Sequence, residues 1–132
     1  MSALILELKQ GESMILNGAV IRFKTRTRLE LNTQARFLFG KQIMHEDEAA
    51  TPARKAYYAL QQAYIGAEAE RPTALEAARA LIASYREQAV GGSAAPWEEL
   101  LSIIADSAGF EALKRARAMI RAEESRPAPT TS

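Results

Sequence analysis

Asn17-Gly18 constrains the first third of this chain more than any other pair of residues. Met14-Ile15-Leu16 and Ala19-Val20-Ile21 are short apolar runs separated by that pair alone. A type I′ turn needs positive φ at both central residues, and Asn followed by Gly supplies them at low steric cost. The spacing predicts a tight β-hairpin with strands at about 13–16 and 19–23. Its second strand runs into Arg22, Lys24, Arg26 and Arg28, with only apolar or hydroxyl side chains between them. A basic ladder of this kind suits phosphates or an acidic protein surface.

Around the hairpin the pattern stays short and alternating. Residues 3–8, ALILEL, read as a first strand ended by a turn at Lys9–Glu12. A break near Lys24-Thr25-Arg26 lets 27–32 return as another strand; extended through that point, the four cations would share one face at period two. Asn32-Thr33-Gln34-Ala35 is a polar turn, and Arg36-Phe37-Leu38-Phe39 before Gly40 is a short strand. Four or five such strands make a small antiparallel sheet or open barrel whose apolar face needs a cover.

From Thr51 onward the apolar period lengthens to about 3.6, so the cover is helical. Thr51-Pro52 reads as an N-cap followed by proline at the first helical position. Ala53, Tyr57, Leu60, Tyr64 and Ile65 form the stripe of a helix that Gly66 ends. Arg71-Pro72 opens a second helix with Leu75, Ala78, Ile82, Tyr85 and Ala89 on one side. Gly91–Ala95 is expected to be a flexible joint. A third helix starts at Pro96-Trp97 and buries Leu100, Leu101, Ile103 and Ile104, and Gly109 interrupts before a last helix bearing Phe110, Leu113, Ala116 and Ile120. The fold class is therefore α+β: an antiparallel β-module of four to five strands over residues 1–44, then a helical module of three to four helices over 45–125. The segment 126–132 lacks any apolar residue larger than alanine and reads as a disordered tail.

Totals narrow the function classes. A chain of 132 residues buries about two-thirds of its unfolded surface and folds as a single domain or as one compact domain with an appendage. No apolar run approaches the ~20 residues a membrane helix needs, and the first residues show neither a basic leader nor a cleavage site, which points to a soluble cytoplasmic protein without a membrane partner. With no cysteine and one histidine, thiolate chemistry and His or Cys metal clusters are out of reach. The net charge of +1 hides an uneven distribution: residues 1–43 hold seven Lys and Arg against three Glu, and the remainder is acidic. That division favours a polyanion-facing surface or contact between protomers, and a homodimer is the simplest closed form.

Taken in order, LNGAVI at 16–21, TRTRLEL at 25–31, ARFLFGKQIM at 35–44 and TPARKAYYALQQAYIG at 51–66 resemble the flagellar biosynthesis repressor FlbT family of α-proteobacteria. The resemblance covers about the first half of the chain. It implies a post-transcriptional regulator that acts on the 5′ untranslated region of flagellin messenger RNA, promotes turnover of that transcript, and works with the small companion FlaF. It brings no catalytic residue and no mapped contact to carry over.

Read beside that resemblance, Arg22, Lys24, Arg26 and Arg28, with Arg36 and Lys41 near them in sequence, are the candidate RNA-binding residues; a solvated or protein-binding strand face is the other reading. No RRM-type aromatic pair lies on an expected strand, and no KH-type GXXG loop is present. Tyr58 and Gln62 on the first helix and Trp97 after the glycines are candidate partner contacts, for FlaF or for flagellin itself, or else they close the core. His45 beside Glu46, Asp47 and Glu48 is a solvent-facing loop rather than a metal site. Serines lack a histidine–acid partner, so the chain is expected to be neither an enzyme nor a cofactor protein. Its alternative role is an adaptor or chaperone-like protein that does not touch RNA.

Overall fold

The computed structural model describes residues 4–31, 36–105 and 109–125. Five short strands come first: β1 (Leu4–Leu8), β2 (Ser13–Leu16), β3 (Ala19–Arg22), β4 (Thr27–Leu31) and β5 (Phe37–Phe39). Four helices follow: α1 (Pro52–Ile65), α2 (Arg71–Gln88), α3 (Ala95–Ile103) and α4 (Phe110–Ser125). The expected α+β order is present. The polar turn at 32–35 and the tail at 126–132 lie outside the described residues.

The strands form two antiparallel sheets rather than one. In the first, β1 pairs with β4; in the second, β2 lies between β3 and β5. The β2–β3 hairpin turns at Asn17-Gly18, with φ of 48° and 89° at the two residues. A bend at Lys24-Thr25 then carries β4 away from β3 to the other sheet. Register explains the layering, because directly paired residues in an antiparallel ladder point to one face. Met14 pairs with Phe39 and Leu16 with Phe37, and these side chains face Leu6, Leu8 and Leu29 of the first sheet in a small core between the sheets. Ile15 pairs with Leu38, points the other way, and packs into the helical core. The second sheet is thus a middle layer with two apolar faces, one toward the first sheet and one toward the helices.

Each helix buries a stripe against this layer or its neighbours. Leu60, Ile82, Leu100, Ile104 and Leu113 are fully buried in a core that includes Leu38. Trp97 is 9 % exposed and its ring lies 5.0 Å from that of Tyr85. Gly66 ends α1 as expected, and the reason is contact: a Cβ there would come within 2.4 Å of the Gln62 carbonyl oxygen. Two expectations need correction. Gly91–Ala94 is an ordered 3₁₀ turn, in which the Ser93 hydroxyl donates to the Val90 carbonyl at 2.6 Å and accepts from its N–H at 3.0 Å. Phe110 is 41 % exposed, whereas Ala112, Leu113, Ala116 and Met119 are the buried side of α4. Leu113 and Ala116 of the expected stripe are buried and Ile120 packs on the core, so Phe110 alone leaves it, at the first residue of the helix.

The N-terminus of α1 is closed from a distance. Thr51 Oγ1 accepts from the Arg54 N–H at 3.3 Å, and its own hydroxyl donates to Glu123 Oε1 at 2.5 Å. The other oxygen of Glu123 accepts from the Ala53 N–H at 2.9 Å, and Arg54 pairs with Glu124 at 2.8 Å. A carboxylate from the last turn of α4 therefore takes up a donor that no residue of α1 can satisfy, where the helix dipole favours negative charge.

Candidate functional site

The basic ladder folds around an edge instead of lying on one face. Arg22 pairs with Ser13, on the same side as the Ile15–Val20 pair and therefore on the helix-facing side of the second sheet. Arg28 pairs with Glu7 on the outer side of the first sheet. Lys24 and Arg26 occupy the segment between, so the two ends of the ladder point away from each other across the stacked sheets. All four side chains are exposed. Arg26 lies 3.8 Å from Glu7, both largely in water, a pair that contributes at most about 1 kcal/mol.

Arg36 and Lys41 sit elsewhere. The Arg36 backbone extends the β2–β5 ladder through Asn17, whose N–H donates to the Arg36 carbonyl at 2.9 Å and whose Oδ1 accepts from the Arg36 N–H at 3.1 Å. Its guanidinium donates to the Tyr64 carbonyl at 3.2 Å and stands 5.4 Å from the centre of the Tyr64 ring. A cation on the last carbonyls of α1 is placed where the dipole wants it. Lys41 is exposed in the 3₁₀ turn Gly40–Gln42 that follows β5.

That turn and the residues after it are irregular in backbone yet held by several side-chain hydrogen bonds. Arg117 of α4 donates to the Lys41 carbonyl at 2.7 Å. The Tyr57 hydroxyl donates to the Gln42 carbonyl at 2.5 Å. Gln61, only 2 % exposed, accepts from the Met44 N–H at 2.8 Å and donates to the Met44 carbonyl at 2.9 Å. Its amide thus mimics a strand partner for one residue. Tyr57, read from the sequence as part of the apolar stripe, and Gln61, which was not in it, are the residues that seat this segment on α1. Their one sequence signal was an amide on a helix face otherwise given to Ala and Leu.

Burial raises the Tyr57 phenol above its ordinary value near 10, and the Arg117 guanidinium, 5.8 Å from the ring centre, partly opposes this. Tyr85 is raised by burial and by Glu123. For a phenol raised in the folded state, the contribution to stability is complete below pH ~10 and is lost as pH climbs through the folded value. In an alkaline absorbance titration Tyr57→Phe should therefore delete a step from the high-pH end of the phenol curve. Loss of a step from the low-pH end of the curve in that variant would contradict the seating of Tyr57.

Of the candidate partner residues, Tyr58 is half-buried and Gln62 exposed on α1, while Trp97 is inside the core. The Glu46–Glu48 segment is a 3₁₀ turn in which the Glu48 carboxylate accepts from the His45 N–H at 2.8 Å. Among the described residues no group of acids and histidine is arranged to hold a metal, and no helix is long and apolar enough to cross a membrane.

Comparison with known proteins agrees with the order of blocks noted in the sequence. A probable flagellum biosynthesis repressor protein FlbT of Chelativorans sp. is 30 % identical over 122 residues, covering 90 % of this chain and 82 % of that protein. The protein of the same name from Agrobacterium fabrum is 29 % identical over 126 residues, 93 % of this chain and 83 % of its own length. That of Brucella ovis is 29 % identical over 120 residues, 89 % of this chain and 77 % of its own. No solved structure matches. The family model described as flagellar protein FlbT aligns with residues 4–126, both the strands and all four helices, and the chain belongs to the FlbT family.

Proposed function

We propose that this protein is a non-enzymatic repressor of flagellin synthesis that associates with the 5′ untranslated region of flagellin messenger RNA and promotes its degradation by a host nuclease. Its relatives carry the name flagellum biosynthesis repressor, which supports the flagellar setting. The observation that supports contact with RNA is the ladder: Arg22, Lys24, Arg26 and Arg28 are all exposed around one edge of the stacked sheets, and Arg26 alone of the four is within ion-pair distance of an acid among the described residues. Cations left in water along a curved edge are suited to a backbone that can bend with them.

The test is a salt series. Each cation that neutralises a phosphate adds roughly 0.7 to the slope of log affinity against log salt for a single strand, so alanine at all four positions should lower the slope by roughly 2.8. The fold should persist, because exposed charges of this kind contribute little to stability. An unchanged slope for a folded fourfold variant that still represses flagellin translation would remove the ladder from the mechanism.

A second reading has the helices bind FlaF or flagellin, with an indirect effect on the transcript. Gln62 and the exposed rim of Tyr58 on α1 favour it. Replacing Tyr58 by alanine then weakens the protein complex and leaves the salt slope alone.

A further inference from the structure

The ladder supplies charge, but its one ring, Phe23, is half-buried against the core between the sheets, so it offers no free ring on which an unpaired base could stack. Such rings are gathered on another part of the molecule. Between β1, β5 and the start of α4 lies an open crevice of about 370 Å³ whose walls include Leu4, Leu6, Phe37, Phe39, Tyr64 and Phe110. Phe37 and Phe39 lie with ring centres 6.3 Å apart and planes within 17° of each other, and Phe110 faces Tyr64 with centres also 6.3 Å apart. Phe110 is 41 % exposed and Leu4 44 %, so the crevice opens to water rather than closing into the core.

Its far end continues into a second pocket of about 330 Å³, which shares Gln42 and Phe110 with the first and is bounded by Lys114, Arg117 and Arg121. These cations follow Phe110 at steps of four, three and four residues and so form one stripe along α4. Lys114 and Arg121 are exposed and make no ion pair among the described residues. Arg117 is fixed by its bond to the Lys41 carbonyl. Among the residues lining these recesses the one acid is Glu48, in a smaller recess beside Arg117, with its carboxylate engaged by the His45 N–H, while Glu111 follows Phe110 on α4 and is exposed.

We infer that this crevice is a second contact site for single-stranded RNA, in which an unpaired base enters against Phe110 and Tyr64 while the adjoining phosphates lie along Lys114, Arg117 and Arg121. The occupant follows from the chemistry of the walls. An apolar pocket of several hundred Å³ lined by rings accepts a base, and a cationic run beginning at its rim accepts the charged backbone attached to it. A duplex keeps its bases stacked and cannot enter. The inference rests on the RNA reading above but uses none of the ladder residues.

The experiment measures binding of an unstructured oligouridylate, the flagellin leader and a blunt RNA duplex to the full chain, to Phe110→Ala, to the double variant Lys114→Gln/Arg121→Gln, and to the fourfold ladder variant. All replaced side chains are exposed, and circular dichroism checks the fold. Phe110→Ala should weaken binding of both single-stranded probes about ten-fold at fixed salt with little change of slope. The double variant should lower the slope by roughly 1.4. Phe110→Trp should retain affinity, which a purely structural role for this position would not require. Duplex binding should be unaffected by either. If the unaltered chain and its crevice variants bind the single strands alike while the ladder variant does not, the crevice is excluded and the RNA reading stands. If the unaltered chain binds no RNA, both fall. Loss of FlaF binding in the crevice variants, with RNA binding intact, assigns the crevice to a protein and overturns the inference.

Discussion

Replacing Gln61 by leucine should cost about 2–4 kcal/mol, although leucine is apolar and of similar size. The amide makes two hydrogen bonds, both to Met44. Its removal strands an N–H and a carbonyl in a partly buried position, and each buried backbone group left without a partner costs about 1–3 kcal/mol. Met44 lies between the 3₁₀ turns after β5 and has no neighbouring strand to take over. Chemical denaturation should show a lower midpoint at near-constant m, and Gln61→Glu at high pH should be at least as damaging because a carboxylate cannot donate to the Met44 carbonyl. A loss below 0.5 kcal/mol would mean that the 43–45 segment is not held by this amide.

An effect of similar size is expected from Leu38→Ala, with a different signature. Leu38 is the fully buried residue of β5 and joins the helical core, whereas its neighbours Phe37 and Phe39 join the core between the sheets. Truncating a fully buried leucine costs about 2–5 kcal/mol through lost transfer energy and the cavity left behind. Because β5 serves both cores, the loss should lower the unfolding temperature of strands and helices together. Hydrogen exchange that accelerated only in the strands would show instead that the helices are stable without the β-layer.

Much of this architecture was legible because it depends on local chemistry. Asn17-Gly18 could hardly serve anything but a hairpin, and Thr51-Pro52 and Gly66 bracket α1 by capping rules that operate within a few residues. The assignment of β4 to β1 was not legible, since short apolar strands pair with whichever neighbour the bend at Lys24-Thr25 makes available. The consequence reached the candidate site: a ladder that alternates perfectly in sequence turns a corner in space, and Arg36 is bound to the end of α1. The crevice escaped notice for the same reason. Its rings come from β5, α1 and α4, elements whose rings stand 25 to 73 positions apart in sequence, and nothing local marks Phe37 and Phe39 as neighbours of Tyr64 and Phe110.

The carboxylate that closes α1 has a bearing on how this protein comes into being. Glu123 is 70 positions beyond Ala53, whose N–H it receives. During synthesis, α1 emerges early, yet a donor of its opening turn has only water for a partner until the chain has been extended past residue 123 and α4 has docked. Loop closure over such a span must precede the reward it brings. The helical layer should therefore lock late and all at once, when its fourth member arrives, so that a ribosome halted within α3 would hold strands and helices in outline but not yet the assembled face on which Phe110 and the α4 cations stand.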